Sequence, residues 1–309
     1  MDAPEHTAHR RLAGALFSRS AAEQVRPVVG RVIEERLDVL VRGTKPADLV
    51  TGFADPVAAL VITEVLGIRQ KDRLSDLSRV LVDRHTSPQT VAQASVEIRA
   101  RIAEEVRAVE NHASDDTLLH RLVGRYQRAG CYDRDQVVEL VGSLIIAGHE
   151  TTASMIALGV LALLSHPDQL GALRADPAGV PSAVEELLRY LSVADLVTTR
   201  VTTGPVRLGD AVLPSGAGVV LSGGAANHDP RVFEHPERLD ITRDTRGHVA
   251  FGYGVHRCIG QHLARVELTS ACVRLFERLP HLRLADTDAP ARSRERAALH
   301  GLASLTVTW

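Results

Sequence analysis

Cysteine is scarce in this sequence: only Cys131, Cys258 and Cys272 occur among 309 residues. They show no CxxC spacing and leave an odd one over, which favours a reducing cytoplasm over a disulfide scaffold. An excess of charge of one sign is also missing, because 36 basic side chains stand against 38 acidic ones, for a net charge of −2. Nucleic-acid-binding proteins usually show a basic excess, so nucleic acid is not expected as a main partner.

Long apolar runs are missing as well. The N-terminal residues MDAPEHTAHRRL contain no apolar core of a signal peptide. The longest apolar stretch, residues 153–164, is too short to span a bilayer and predicts a buried helix segment, so no membrane anchor is expected. The composition is 45% hydrophobic and 24% charged, as in ordinary globular proteins. The chain is long enough for a large core in one or two domains.

One stretch, FGYGVHRCIG at residues 251–260, sets a single cysteine among three glycines. Gly252, Gly254 and Gly260 allow a positive φ or close approach to a flat ligand, which predicts a tight loop. The residues after Cys258 have the apolar spacing of an amphipathic helix. A helix N-terminus favours an anionic sulfur, so the pattern predicts a lowered thiol pKa and a metal-binding thiolate. For a lone cysteine, a buried structural thiol is the other interpretation.

A second stretch, AGHETT at residues 147–152, lies inside a proline-free apolar segment, residues 133–166, that predicts one long core helix. Four polar side chains in succession have no packing use there, and burying them unpaired costs about 2 kcal/mol or more each. Threonine hydroxyls can bond the carbonyl four residues back, and Gly148 allows a flat group to approach. A helix kink or a polar contact between helices explains these residues equally well.

The cysteine loop resembles the haem-ligand loop of the cytochrome P-450 family, the haem-thiolate monooxygenases. Three further motifs occur in the family's order and spacing. Residues 2–12, with His6 and Arg10 on one helix face, are similar to the family's C-helix, and AGHETT is similar to its oxygen-binding motif. EELLR matches the ExxR motif through Glu186 and Arg189, for which Arg243 is the expected third member. Leu239, where the family often has an aromatic residue, is a mild departure.

The resemblance implies haem b as the cofactor and assigns a role to each matching position. Cys258 is expected to be the proximal ligand of the iron. Glu150 and Thr151 are expected to form the acid–alcohol pair that delivers protons to dioxygen. The other implied cofactor-binding residues are Phe251 beside the sulfur, Gly252 and Gly260 in the loop, His6, Arg10, Arg200 and His256 at the haem propionates, and Ala147 and Gly148 over the haem.

The implied fold is mainly α with small β-sheets (α+β), as one domain over residues 1–309 that starts near the family's C-helix. Family members normally carry more chain upstream, so an N-terminally shortened form is expected. The local patterns predict one helix over residues 20–43, another over 49–68, breaks at 87–88 and 112–115, and a switch to strands after Tyr190. A terminal β-hairpin or two short strands are expected in the last 30 residues.

The implied reaction inserts one oxygen atom from dioxygen into an apolar small molecule, by hydroxylation or epoxidation. No glycine-rich nucleotide fingerprint or flavin segment occurs, so electrons are expected from a ferredoxin or flavodoxin with its reductase. An acidic partner would dock at Arg10, Arg11, Arg257 and Arg265. A haem-binding protein without turnover and a peroxide-driven haem enzyme are the alternatives. A cytoplasmic enzyme of secondary metabolism or xenobiotic breakdown is expected by association.

Overall fold

The computed structural model describes residues 2–69, 73–83, 85–111, 117–294 and 299–309. The chain is mainly helical with small sheets, which confirms the predicted fold class. The helices are α1 (Glu5–Gly14), α2 (Arg19–Gln24), α3 (Arg26–Arg42), α4 (Asp55–Leu66), α5 (Leu74–Val82), α6 (Pro88–Asn111), α7 (Leu118–Arg128), α8 (Arg134–Ser165), α9 (Pro167–Ala175), α10 (Val180–Leu191), α11 (Gly223–Asn227) and α12 (Gln261–Arg278). The strands are β1 (Ala47–Asp48), β2 (Thr198–Val201), β3 (Val206–Leu208), β4 (Ala211–Leu213), β5 (Gly218–Leu221), β6 (Arg283–Leu284), β7 (Ala291–Ser293) and β8 (Leu302–Thr308).

Helix α8 is the centre of the hydrophobic core. It runs for 32 residues, begins at Asp133, whose side chain accepts a hydrogen bond from the Gln136 N–H, and packs mainly against α4, α6 and α12. Its length and hydropathy alone would suffice to cross a membrane, but 67% of its most apolar window is buried inside the protein. A core helix has this pattern, because its apolar side chains face other helices on most sides.

The helix predicted over residues 20–43 is two helices, α2 and α3, which meet at Val25. Pro27 is the physical reason: it has no N–H to donate, so it is tolerated only in the first turn of a helix, where α3 places it. The segment predicted over 49–68 begins with a π-helical turn at residues 50–54 and continues as α4 to Gly67, which caps it with a φ of 82°. The break predicted at 87–88 is present, whereas the one at 112–115 lies outside the described residues.

The strands predicted after Tyr190 form two small antiparallel pairs, β2 with β5 and β3 with β4. The expected hairpin near the C-terminus is present as β7 and β8, with Ala291 opposite Leu305. Strand β8 also pairs with β6 and with β1, where Ala47 lies opposite Val307. The end of the chain is therefore joined to the segment before α4, so residues after β7 can reach the middle of α8.

Candidate active site

The cysteine loop closes on itself before α12 begins. The N–H of Cys258 donates to the carbonyl of Phe251 at 2.8 Å, and the chain enters α12 through Gly260 as the N-terminal cap. Gly252 and Gly254 have φ values of 72° and 80°, so both use the left-handed region that favours glycine. Gly260 has a φ of −84°, so it does not need this freedom. The predicted tight loop before a helix is confirmed.

The thiol of Cys258 does not behave as the helix N-terminus alone predicts. Loss of hydration beside the loop raises its pKa, although the Gly260 N–H and the charges of Arg10, Arg265 and Arg257 act to lower it. The predicted lowering of the thiol pKa is therefore wrong for the chain by itself, because desolvation outweighs the helix terminus. The residue still has an accessible surface. A metal ion would supply the charge that deprotonates such a thiol.

Cationic and imidazole side chains from separate parts of the chain meet beside this loop. The Arg10 Nη2 donates to the Arg257 carbonyl at 2.6 Å, and the ring centroids of His6 and His256 lie 4.0 Å apart. His256 Nε2 bonds the Asp2 carboxylate at 3.0 Å.

This surrounding favours a bound carboxylate. The hydrogen bond from His256, with the N-terminal charge, His256 itself and Arg200 near by, lowers the pKa of Asp2 despite some loss of hydration. Desolvation, with the nearby His256 and Arg10, lowers the pKa of His6. The structure thus brings His6, Arg10, Arg200 and His256 to the loop of Cys258.

Phe251 is partly buried and packs against the hydrophobic core. The Arg265 guanidinium lies over its ring, with the guanidinium carbon 4.5 Å from the ring centroid. Arg265 is itself paired with Glu185, with its Nε 2.6 Å from the Glu185 Oε1. The four arginines expected to form a docking surface are therefore unequal, because the charge of Arg265 is already balanced by a carboxylate.

One stripe in the middle of α8 is open, next to faces of the helix that are buried. Ser143 and Ala147 are exposed and Thr151 is partly so, at spacings of four residues that place them on one helix face. The Thr151 hydroxyl donates to the Ala147 carbonyl at 2.6 Å, as predicted for a threonine in this motif. Gly148 lies beside the stripe, where a Cβ would come within 2.9 Å of Ile62 on α4. Close packing of α4 on α8 therefore accounts for this glycine, and its place over the haem remains a prediction.

An apolar cavity of about 240 Å³ borders the same helix between α5 and α6. Gly142, Ser143 and Ile146 of α8 form one of its walls. The other walls are mostly apolar, with Leu81 from α5 and Ile98 and Ile102 from α6. Ser143 belongs both to the cavity and to the open stripe, so the two features adjoin.

Glu150 is turned into the protein, where its side chain is 0% exposed. Its Oε2 accepts a hydrogen bond from the Arg294 Nη1 at 2.6 Å, and Arg294 also donates to the Leu302 carbonyl. His149, which is 1% exposed, places its Nε2 3.0 Å from the Asp55 Oδ1 and its Nδ1 3.5 Å from the Glu150 Oε1. His149 and Glu150 of AGHETT therefore have charged partners from α4 and from the segment after β7.

Asp55 connects this cluster to the outside of the protein. Burial alone would raise the pKa of its carboxyl, but the hydrogen bond and charge of His149 together with Arg79 lower it from 3.8 to about 2. Arg79 lies 2.7 Å from the Asp55 Oδ2 and is 44% exposed. The Ser75 hydroxyl lies 3.3 Å from the same oxygen. Asp55 is thus ionised at neutral pH, and its partner Arg79 is in contact with solvent.

The Glu186–Arg189 pair is fully buried, and the structure contains the expected third member. Arg189 Nε and Nη2 bond the two oxygens of Glu186 at 2.7 and 2.8 Å, and Arg243 Nε bonds the Glu186 Oε1 at 3.2 Å. The remaining N–H groups of Arg189 donate to the carbonyls of Asn227, Pro236 and Arg238. This network joins α10 to the loop before the cysteine, which supports a structural role.

Three residues of these clusters were not identified from the sequence: Asp2, Asp55 and Arg294. Asp55 and Arg294 lie 94 and 144 residues from the side chains that they contact. Arg294 lies in an arginine-rich segment directly after β7 and belongs to no motif. Asp55 is followed by a proline at a helix start, so an acidic residue in the first turn of a strongly apolar helix was the one signal available for it in the sequence.

The donor set fits a haem group. Haem needs one axial ligand and partners for two propionate carboxylates. The loop of Cys258 also carries His256, whose ring lies against that of His6, and its backbone bonds Arg10, while Arg200 acts on the nearby Asp2. The carboxylate of Asp2 already occupies the side of His256, so these residues bind a carboxylate in the structure itself. The open small-residue stripe of α8 offers room for a flat ring.

Comparison with known proteins gives matches over the whole chain. The family model of cytochrome P-450 matches residues 180–301. Cytochrome P-450-SU2 of Streptomyces griseolus is 42% identical, with all of this chain and 76% of the relative aligned. A vitamin D3 dihydroxylase of the same organism is 39% identical, again over all of this chain and 76% of the relative.

Solved structures agree with these matches. The mycinamicin VIII C21 methyl hydroxylase MycCI of Micromonospora griseorubida, bound to mycinamicin VIII, has a TM-score of 0.94 and 36% identity. That alignment covers all of this chain and 79% of MycCI. Cytochrome P-450 MoxA of Nonomuraea recticatena has a TM-score of 0.93 and 39% identity, over all of this chain and 77% of MoxA.

Proposed function

This chain belongs to the cytochrome P-450 family of haem b monooxygenases, and on that premise we propose that it inserts one oxygen atom from dioxygen into an apolar small molecule, by hydroxylation or epoxidation. The observation that carries the proposal is the Cys258 loop with its surrounding cations. Relatives named as a vitamin D3 dihydroxylase and a mycinamicin VIII methyl hydroxylase support hydroxylation. The mostly apolar cavity beside α8 supports an apolar substrate.

Each residue near the site has a role in this proposal. Cys258 would bind the iron of a bound haem, and a thiolate-bound haem would supply oxygen activation, since the thiolate favours O–O cleavage. His6, Arg10, Arg200 and His256 would bind the propionates. Phe251, Gly252 and Gly260 would shape the loop around the sulfur, and Ala147 and Gly148 would lie on the haem side of α8.

Proton delivery is the role proposed for the acid–alcohol pair on α8. Glu150 is buried, and Arg294 fixes its carboxyl group by a hydrogen bond to Oε2. Thr151 presents a hydroxyl on the open stripe of the same helix. A proton that passes from the buried acid to the open face would direct the reaction toward oxygen insertion instead of peroxide release.

The first experiment is the carbon monoxide difference spectrum of the dithionite-reduced full chain. A strongly red-shifted Soret band is expected, because it reports haem held by a cysteine thiolate. Cys258→Ser should abolish that band, while Cys131→Ser, at an exposed cysteine, should keep it. A chain with no haem, or a band unaffected by Cys258→Ser, would contradict the proposal.

A second experiment separates a monooxygenase from a peroxide-driven haem enzyme. With ferredoxin, reductase and isotope-labelled dioxygen, Thr151→Ala should lose labelled product and release more peroxide, while product formed from added peroxide should be kept. Ser143→Ala is the matched control, because this hydroxyl lies on the same stripe and bonds the Glu139 carbonyl, also four residues back. If the unmodified chain forms product from added peroxide and none from dioxygen with the redox partners, the peroxide-driven alternative is favoured.

We propose a ferredoxin or flavodoxin as the electron donor, in a cytoplasmic setting that fits the few unpaired cysteines. Arg10, Arg11 and Arg257 are the candidate docking charges, with Arg265 left out because Glu185 balances it. Arg257→Glu should slow reduction by the partner several-fold at low salt and leave haem content unchanged. Arg207→Glu, on the β3–β4 hairpin, is the control. Equal reduction rates in both variants would place the docking surface elsewhere.

A further inference from the structure

Two buried atoms on α8 lie close together, and neither has a hydrogen-bond partner among the described residues. Among the residues that the structure describes, neither the His149 Nδ1 nor the Glu150 Oε1 has a hydrogen bond, and the two atoms lie 3.5 Å apart. Both side chains are at least 99% buried. Buried polar atoms are nearly always hydrogen-bonded, because an unpaired one has lost its water and gained nothing in return.

The tautomer of His149 follows from its other nitrogen. Asp55 is ionised at neutral pH, so its oxygens only accept hydrogen bonds. Nε2, at 3.0 Å from the Asp55 Oδ1, must therefore carry a hydrogen. In a neutral ring Nδ1 would then hold a lone pair 3.5 Å from a carboxylate oxygen, which is repulsive at a buried site.

We propose that His149 and Glu150 hold one proton between them, and that His149 is a positioning residue that keeps this proton ready for Glu150. A hydrogen between Nδ1 and Oε1 gives both atoms the partner that each lacks. In the transfer the Nδ1–H bond breaks with its electron pair left on nitrogen, and an Oε1–H bond forms. The imidazolium becomes a neutral imidazole and the carboxylate becomes a carboxylic acid.

The charges around the pair support one extra proton. Two carboxylates, from Asp55 on α4 and Glu150 on α8, enclose His149, while Arg294, which is 17% exposed, is the one guanidinium on the inner side. On the outer side Arg79, which is 44% exposed, lies 2.7 Å from the Asp55 Oδ2 and also pairs with Asp76. Asp55, Glu150 and Arg294 sum to −1, so a proton on the pair neutralises these three groups, while solvent screens the additional charge of Arg79.

The cluster also has an outer end. Ser75 lies 3.4 Å from the His149 Nε2 and 3.3 Å from the Asp55 Oδ2, next to the partly exposed Arg79. Side chains from α4 and α5 thus lead from solvent to a proton held on α8. The use of this proton in oxygen insertion rests on the proposed function, whereas the proton itself rests on the geometry alone.

The test counts the proton in the full chain without turnover. Nitrogen-15 NMR of histidine-labelled protein reports hydrogens on each ring nitrogen, and infrared difference spectra report a protonated carboxyl group. His149→Gln assigns the His149 signals, with His149→Asn as the second variant if the first does not fold. His166→Gln, at the C-terminal end of the same helix, is the matched control.

We expect a hydrogen on Nδ1, or a protonated carboxyl band, at neutral pH, and loss of that signal in Glu150→Gln. A bare Nδ1 together with an ionised Glu150 would overturn the proposal. In turnover, His149→Gln should lower the product formed per electron about tenfold and His166→Gln should not. If the shared proton is detected but His149→Gln does not lower the product yield, the pair does hold a proton, and the role of that proton in oxygen insertion is wrong. A chain with no monooxygenase activity would contradict the proposed function alone.

Discussion

Two buried glutamates of this protein, Glu186 on α10 and Glu150 on α8, each pair with an arginine, yet their oxygens are used differently. The oxygens of Glu186 accept four hydrogen bonds, from Arg189, Arg243 and the Asp240 N–H. One oxygen of Glu150 accepts from Arg294, and the other has no hydrogen bond among the described residues. Both side chains are 0% exposed, so burial does not distinguish them.

The difference lies in the number of available partners. Every N–H of Arg189 has an acceptor within 3.3 Å, so the network around Glu186 has no capacity for another proton or ligand. Such a network fixes the positions of three chain segments. The network around Glu150 is incomplete, and catalytic acids and bases are often found at such sites. We therefore expect the first cluster to support the structure and propose that the second supports the chemistry.

The largest expected effect comes from breaking the complete network. Arg189→Leu leaves the Glu186 charge buried with one remaining arginine, so we expect a loss of about 3–5 kcal/mol in the free energy of unfolding, measured by urea titration. The control is Arg231→Gln. The Arg231 side chain pairs with Asp229 but is 87% exposed, so we expect little change in the free energy of unfolding. Similar stability in both variants would contradict the structural role of Arg189.

Glu150→Gln should reverse this pattern, with a loss of activity and almost none of stability. The amide can accept from Arg294 and donate to the His149 Nδ1, which supplies a permanent hydrogen where we propose a shared proton. Turnover with dioxygen should fall about 10²-fold, while the carbon monoxide spectrum stays unchanged. If the variant unfolds instead, the incomplete network is structural like that of Glu186.

Asp55→Asn tests the outer half of the incomplete network through pH. The folded-state pKa of about 2 lies below the unfolded value of 3.8, so the folded protein binds fewer protons between these values and is destabilised as the pH falls through them. At neutral pH the ionised carboxyl contributes about 2 kcal/mol, which the variant should lose. The fall in the free energy of unfolding between about pH 4 and pH 2 should also become shallower, as measured by urea unfolding. Asp76→Asn, at an exposed carboxylate, should keep the full decline.

Arg79→Gln should have the smallest effect. Its guanidinium is 44% exposed, so water replaces much of its interaction with Asp55, and a loss of less than about 1 kcal/mol is expected. The acid decline attributed to Asp55 should shift to slightly higher pH, because one group that stabilises the carboxylate is gone. A loss as large as that of Asp55→Asn would show that Arg79 belongs to the inner cluster.

Much of the helical framework could be predicted from the sequence. The apolar pattern gave α8 to within one residue at each end, and glycines 252 and 254 gave the loop before α12. The single helix predicted over residues 20–43 is two helices that meet at Val25. The apolar spacing continues across Pro27, but a helix tolerates a proline only in its first turn, so a new helix begins there. The thiol pKa of Cys258 was predicted in the wrong direction, since a helix terminus is visible in a sequence and desolvation is not.

The sequence by itself determined the family, the helix that carries AGHETT and the cysteine that precedes α12, because these depend on local patterns and on motif spacing. Only the tertiary structure decided which side chains complete those motifs. Asp55 reaches His149 across 94 residues and Arg294 reaches Glu150 across 144, and no periodicity links positions so far apart. Burial and partner geometry set whether an acid is saturated or can hold a proton, and both arise only when distant segments pack together.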